Sequence, residues 1–112
     1  MSTKNHNDLD LIIQNLYLGN MAASDNKAAL QRLGITHILS VTSSCKPQYS
    51  KEFEYKQIEV LDMPSTNLTK YFDDAAEFIS EGITGKNKCL VHCNAGISRS
   101  TSMVMAYLII YR

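Results

Sequence analysis

Between Lys88 and Arg112 the chain reads KCLVHCNAGISRSTSMVMAYLIIYR: a short apolar run, a polar loop containing Gly96, then a second and longer apolar run. The first run has the length and composition of a buried strand, and the second is long enough for several helical turns. A chain that passes from buried strand into buried helix through one tight loop fits a sheet with helices packed on its faces. It also puts the loop at the C-terminal end of a strand, where such folds hold ligands.

The rest of the chain agrees with an α/β reading. LIIQNLYLG predicts two short extended segments ending at Gly19, and SDNKAALQRLG predicts one short helix, capped by Ser24 and stopped at Gly34. ITHILSVT and EYKQIEVL predict two further strands, joined by the polar stretch SSCKPQYSKEF. Pro64 marks a turn, after which Leu68, Phe72, Ala75, Ile79 and Ile83 recur at helical spacing up to Gly85. The expected architecture is a central mixed, mostly parallel sheet flanked by helices. With 112 residues there is room for one domain.

Eleven basic and eleven acidic residues cancel, which removes the general electrostatic case for nucleic acid or an acidic membrane as partner. The charges are unevenly placed. No acidic residue follows Glu81, whereas Lys86, Lys88, Arg99 and Arg112 do, so a site built from this end favours anions. Cys45, Cys89 and Cys93 are odd in number and lack zinc-site spacing, so neither a disulfide framework nor a metal centre is expected. The first nine residues are polar with no apolar core, and the longest apolar run, Met103 to Tyr111, is half a membrane span. These features fit a soluble protein of the cytoplasm, with the nucleus also open to it.

The loop's residues suit one chemistry. The first N–H groups of a helix lack partners within it, which makes the approach to such a helix an anion site. Gly96 allows the turn that points successive amides inward, and Arg99 can hold two phosphate oxygens with its planar fork. Cys93 then sits at the base. A free thiol with a pKa of about 8.5 is only a few per cent ionised at pH 7. Lowering it to about 5 or 6 requires roughly 3 to 5 kcal/mol of preferential stabilisation of the anion, more than a helix terminus supplies. The loop amides and Arg99 must add to it, with the Ser100 hydroxyl as a further donor to sulfur and His92 ordering the strand end. A buried structural role is the commoner fate of a lone cysteine; His92, Gly96, Arg99 and Ser100 at these offsets argue for a nucleophile. Attack on phosphorus leaves an oxyanion in need of a proton. Asp62, on the loop after EYKQIEVL and on the expected face of the sheet, is the candidate acid, although the loop read in isolation favours a turn former beside Pro64.

HCNAGISRS resembles H-C-x-x-G-x-x-R-S, the signature of the cysteine-dependent dual-specificity protein phosphatases. NLYLGN, LGITHILSVT and Asp62 ahead of NLTKYF resemble the same family's landmarks in the same order, from about Asp10 to the last residue. The resemblance implies a protein tyrosine phosphatase-like fold, with a catalytic domain over residues 10–112 behind a polar segment 1–9. It implies Cys93 as nucleophile, Arg99 as phosphate ligand, Asp62 as general acid and then base, and Ser100 as the group that eases departure of the sulfur. The amides of Asn94, Ala95, Gly96, Ile97, Ser98 and Arg99 would hold the phosphoryl oxygens. His92 would support the loop from behind, and no metal or cofactor is required. The loop carries no lysine, which favours phosphorylated proteins over phosphoinositides. A small member without an added recognition loop should have a shallow pocket open to phosphotyrosine, phosphoserine and phosphothreonine.

In the family, further helices follow the one after the cysteine loop. Here Tyr107, Leu108, Ile110 and Tyr111 run to the last residue, so apolar surface and self-association through it are expected. Cys89 is expected in the core, with a lesser reading as a disulfide partner for an oxidised Cys93; His37 is expected to be structural. Two other classes remain open from sequence: a phosphoprotein-binding module without turnover, and a sulfur-transfer enzyme of rhodanese type, which leaves Asp62 and the N-terminal landmarks unexplained.

Overall fold

The structure, a computed structural model, describes residues 9–41, 49, 51–58, 69–93 and 98–111, excepting the side chains of Ser98 and Arg99. Its elements are β1 (Leu9–Ile13), β2 (Leu16–Gly19), α1 (Met21–Asp25), α2 (Lys27–Leu33), β3 (His37–Val41), β4 (Glu54–Ile58), α3 (Phe72–Gly82), β5 (Cys89–Cys93) and α4 (Ser98–Tyr111). A single 3-10 turn, Thr69–Tyr71, leads into α3. The sheet order is β1-β2-β5-β3-β4. Among the described strands only the β1–β2 pair is antiparallel, so the sheet is mixed and mostly parallel.

Alternation along the strands divides the core in two. On β5, Cys89, Val91 and Cys93 join Leu39 and Val41 of β3 in packing against Ala75, Ala76 and Ile79 of α3 and Met103, Val104 and Tyr107 of α4. Leu90 and Ile38 point the other way, to Ala23 of α1 and Leu30 of α2. All five residues of β5 are buried, as expected for the central strand of a covered sheet. Gly82 lets α3 lie close to that sheet: a Cβ there would come within 3.0 Å of His37 Cβ and 3.1 Å of Cys89 Cβ.

The expected single helix from Ser24 to Gly34 is two. Asn20 caps α1 by accepting from Ala23 N at 3.0 Å, and Asn26 caps α2 by accepting from Ala29 N at 3.1 Å. An asparagine oxygen competes with the helical backbone for its own N–H groups, so Asn26 restarts the helix. Ser24 is not a cap. It lies buried within α1, its hydroxyl donating to Met21 O at 2.9 Å. Gly34 does end α2, in the left-handed conformation at φ 83°.

The outer side of α4 is apolar. Ile109 is 77% exposed, and Met105, Ile110 and Tyr111 are about half exposed. With Phe72 of α3, Met105, Ile109 and Ile110 line a groove of about 290 Å³. Among the described residues no helix is long and apolar enough to cross a membrane.

Candidate active site

Cys93 is the last residue of β5, the strand at the middle of the sheet. Parallel register puts Val41 of β3 beside Cys93 and Ile58 of β4 beside Val41, so the ends of three strands form one row at the same edge. The helix α4 begins at Ser98 on the same edge and packs on the face to which the Cys93 side chain points. Its first turn brings Ser100 against the thiol: both side chains are buried, and Ser100 Oγ donates to Cys93 Sγ at 3.4 Å. Asp62, the loop residues Asn94 to Ile97, Cys45 and Leu68 lie outside the described residues, as does the side chain of Arg99.

His92 faces the other way. Alternation puts its ring on the α1 side of the sheet, opposite the Cys93 side chain. It is fully buried, with Nε2 at 2.7 Å from Ser40 Oγ. Ser40 is its neighbour across the β3–β5 pairing. Burial lowers the His92 pKa to about 4, against the smaller opposing pulls of Asp25 and the Cys93 main chain. A ring that stays neutral through the physiological range and lies behind the strand cannot take a proton from the Cys93 thiol.

The shift has a consequence for stability. Unfolded, His92 binds a proton near pH 6.5; folded, it refuses one until about pH 4. Between those values the unfolded chain binds more protons, so stability rises with pH. The contribution is complete above pH 6.5 and disappears as pH falls towards 4, about 3 kcal/mol in all. Urea unfolding at pH 7 and pH 4.5 should show a larger acid-induced loss in the native chain than in a His92→Gln variant. Equal losses would remove His92 as the cause.

Cys89 is buried in the same strand, and burial pushes its thiol far above the ordinary range, so it stays protonated, donating weakly to Leu90 O at 3.8 Å. The disulfide reading fails on distance. Cys93 lies four positions after Cys89 along one strand, about 13 Å at the rise of an extended chain, whereas a disulfide needs Cα atoms within about 7 Å. Cys89 is core. His37 is structural too: its ring meets Phe78 edge-on with centroids 5.5 Å apart, and Nδ1 lies 2.7 Å from Thr36 Oγ1.

Ser40 was not among the residues singled out from sequence. Its one signal is a hydroxyl inside the otherwise apolar run ILSV, and its partner is 52 positions away. Only the strand pairing reveals it.

Residues 16–112 match the family described as "Dual specificity phosphatase, catalytic domain". The chain is 47% identical over 98 residues to "Dual specificity protein phosphatase 1" of Arabidopsis thaliana, covering 88% of this chain and 50% of that protein. It is 39% identical over 102 residues to human "Dual specificity protein phosphatase 22", covering 91% of this chain and 55% of that one. The chain thus spans about half the length of curated relatives it matches. Among solved structures, it superposes on DUSP15 with a TM-score of 0.83 at 37% identity, over 90% of this chain and 64% of that one. The human tyrosine phosphatase-like serine/threonine/tyrosine-interacting protein gives 0.85 at 33%, over 92% and 73%.

Proposed function

Since the chain belongs to the dual specificity phosphatase catalytic-domain family, we propose that it hydrolyses phosphate monoesters on tyrosine, serine and threonine side chains of phosphorylated proteins. The observation that carries this reading is Cys93 at the end of the central strand with the Ser100 hydroxyl donating to its sulfur. A hydroxyl aimed at sulfur stabilises negative charge there, which a nucleophile needs before attack and a leaving group needs afterwards.

The reaction takes two displacements. The Cys93 thiolate attacks phosphorus, the bond to the substrate oxygen breaks, and Asp62 delivers a proton to that oxygen. Asp62 then takes a proton from water as the water oxygen attacks phosphorus, and the sulfur–phosphorus bond breaks to return the thiolate. Arg99 and the amides of residues 94–99 hold the equatorial oxygens in both transition states. Strand register supports the part given to Asp62. Ile58 ends β4 in the same row as Cys93, two strands away, or about 10 Å at ordinary strand spacing. Asp62 is four positions beyond Ile58, up to about 14 Å of extended chain, enough to bring the carboxyl to the sulfur.

Ser100 has a role that kinetics can isolate. Its donor is worth most when sulfur leaves, so Ser100→Ala should slow breakdown of the cysteinyl-phosphate more than its formation. The expected signs are a kcat lower by about 10- to 100-fold, the size of a lost hydrogen bond to charge, and a burst of released alcohol before the slow steady state. No burst, with kcat unchanged, would leave the hydroxyl without this role.

The test of the whole reading is release of inorganic phosphate from tyrosine- and threonine-phosphorylated peptides by the purified chain. A binding module is the second reading, favoured by the superposition on a protein named as phosphatase-like and interacting. It predicts retention of the same phosphopeptides with no phosphate released.

A further inference from the structure

Behind the nucleophile, on the α1 side of the sheet, lies a polar pair that the two displacements do not use. Ser40 and His92 are both buried, sit opposite each other across β3 and β5, and approach to 2.7 Å between Oγ and Nε2. His92 Nδ1 is also buried, with no hydrogen bond among the described residues. The Cys93 main chain pulls the ring towards its protonated form, so the group it offers His92 is an acceptor, the Cys93 carbonyl.

A neutral imidazole holds one proton on one of its two nitrogens. If Nε2 carried it, Nδ1 would present a buried lone pair to a carbonyl oxygen, and the Ser40 hydroxyl would have to find another acceptor. Among the described residues its side-chain partner is His92. With the proton on Nδ1, both groups are satisfied in turn: Ser40 Oγ donates to Nε2, and Nδ1–H points to the Cys93 carbonyl. A buried donor left without a partner costs about 1 to 3 kcal/mol, so this arrangement wins. Hydrogen bonds at catalytic centres are often long before substrate binds and tighten with it.

We propose that Ser40 is a positioning residue for the reaction at Cys93: its hydroxyl donates to His92 Nε2 and so keeps the ring's single proton on Nδ1, beneath the Cys93 carbonyl. Holding that carbonyl towards His92 fixes the main chain at the end of β5, from which the Cys93 side chain projects to the opposite face of the sheet. The kinetic part of this inference rests on the phosphatase reading; the tautomer part does not.

The test has two arms. In the first, long-range proton–nitrogen correlation on the chain labelled with 15N-histidine reads the His92 tautomer at pH 7, assigned with the His92→Gln variant. The Nδ1–H form is expected in the native chain, and a mixture or the Nε2–H form in Ser40→Ala. In the second, Ser40→Ala should lower kcat about tenfold with KM within about twofold, and Ser40→Thr, which keeps the hydroxyl, should restore both kcat and tautomer. Should the alanine form not fold, Ser40→Cys replaces it, keeping size with a much weaker donor. An Nε2–H ring in the native chain overturns the proposal. So does a Ser40→Ala form with native kcat, or one whose kcat and melting temperature fall together without rescue by threonine. A native chain that releases no phosphate defeats the phosphatase reading and Ser40's part in it, while the spectrum still decides whether Ser40 sets the tautomer.

Discussion

Cys93→Ser is expected to lower phosphate release by at least about 10⁴-fold, the scale seen when a nucleophile that acts with its partners as a unit is removed, while phosphopeptide binding changes by no more than a few-fold. A serine hydroxyl attacks only when a neighbouring base removes its proton. The histidine next in sequence cannot do so. His92 points to the opposite face of β5, is hydrogen-bonded to Ser40 at 2.7 Å, and has its pKa lowered to about 4 by burial. The Ser100 hydroxyl is a donor towards position 93, not a base. A sulfur can be ionised by donors alone, whereas an alcohol in the same place stays protonated and inert. Oxygen is smaller than sulfur, so the buried site at the end of β5 accepts the change with little strain. Single-turnover assays with excess enzyme and calorimetric titration of a phosphopeptide separate the two effects. Turnover retained in the serine form would remove Cys93 as nucleophile, and binding lost together with turnover would point to collapse of the loop.

Strands and helices that differ in periodicity were legible in the sequence because their apolar patterns face a core. Cys89, Val91 and Cys93 alternate with Leu90 and His92 on opposite sides of β5, and Phe72, Ala75 and Ile79 recur along α3. The approach of Ser100 to Cys93 was legible for a different reason: the two are only seven positions apart, one ending β5 and the other in the first turn of α4, so local order already brings them together. What escaped was either energetically close or distant in sequence. One helix or two between Met21 and Leu33 depends on whether Asn26 caps or continues, a choice of about 1 kcal/mol. The pairing of Ser40 with His92, and the separation that excludes a Cys89–Cys93 disulfide, need the register of β3 on β5 and the extended state of β5. Pattern alone supplies neither.

Asp62→Ala is expected to divide substrates by their leaving groups. Removing a general acid costs about 10²- to 10⁴-fold where the departing oxygen needs a proton in the transition state. An alkoxide from phosphoserine or phosphothreonine is strongly basic and needs it fully, so kcat/KM should fall by about 10³-fold or more. A phenoxide from phosphotyrosine is stabilised by its ring and needs it less; a nitrophenoxide hardly needs it, and its loss should be about tenfold at most. The alkaline limb of the pH profile should flatten at the same time with alkyl substrates, because the group whose protonated form assists departure, and whose loss of a proton on raising the pH slows it, is gone. Dephosphorylation of the cysteinyl-phosphate also weakens, since water loses its base, so with aryl phosphates the rate-limiting step moves to hydrolysis and a burst of phenol appears. The strand row Cys93–Val41–Ile58 fixes where the chain leaves β4, two strands from Cys93 and four positions before Asp62. Ser65 and Thr66 follow Asp62 closely in sequence, yet neither hydroxyl can serve as an acid near neutral pH. Equal losses for alkyl and aryl phosphates would mean that Asp62 only shapes the loop, and that the proton comes from another donor.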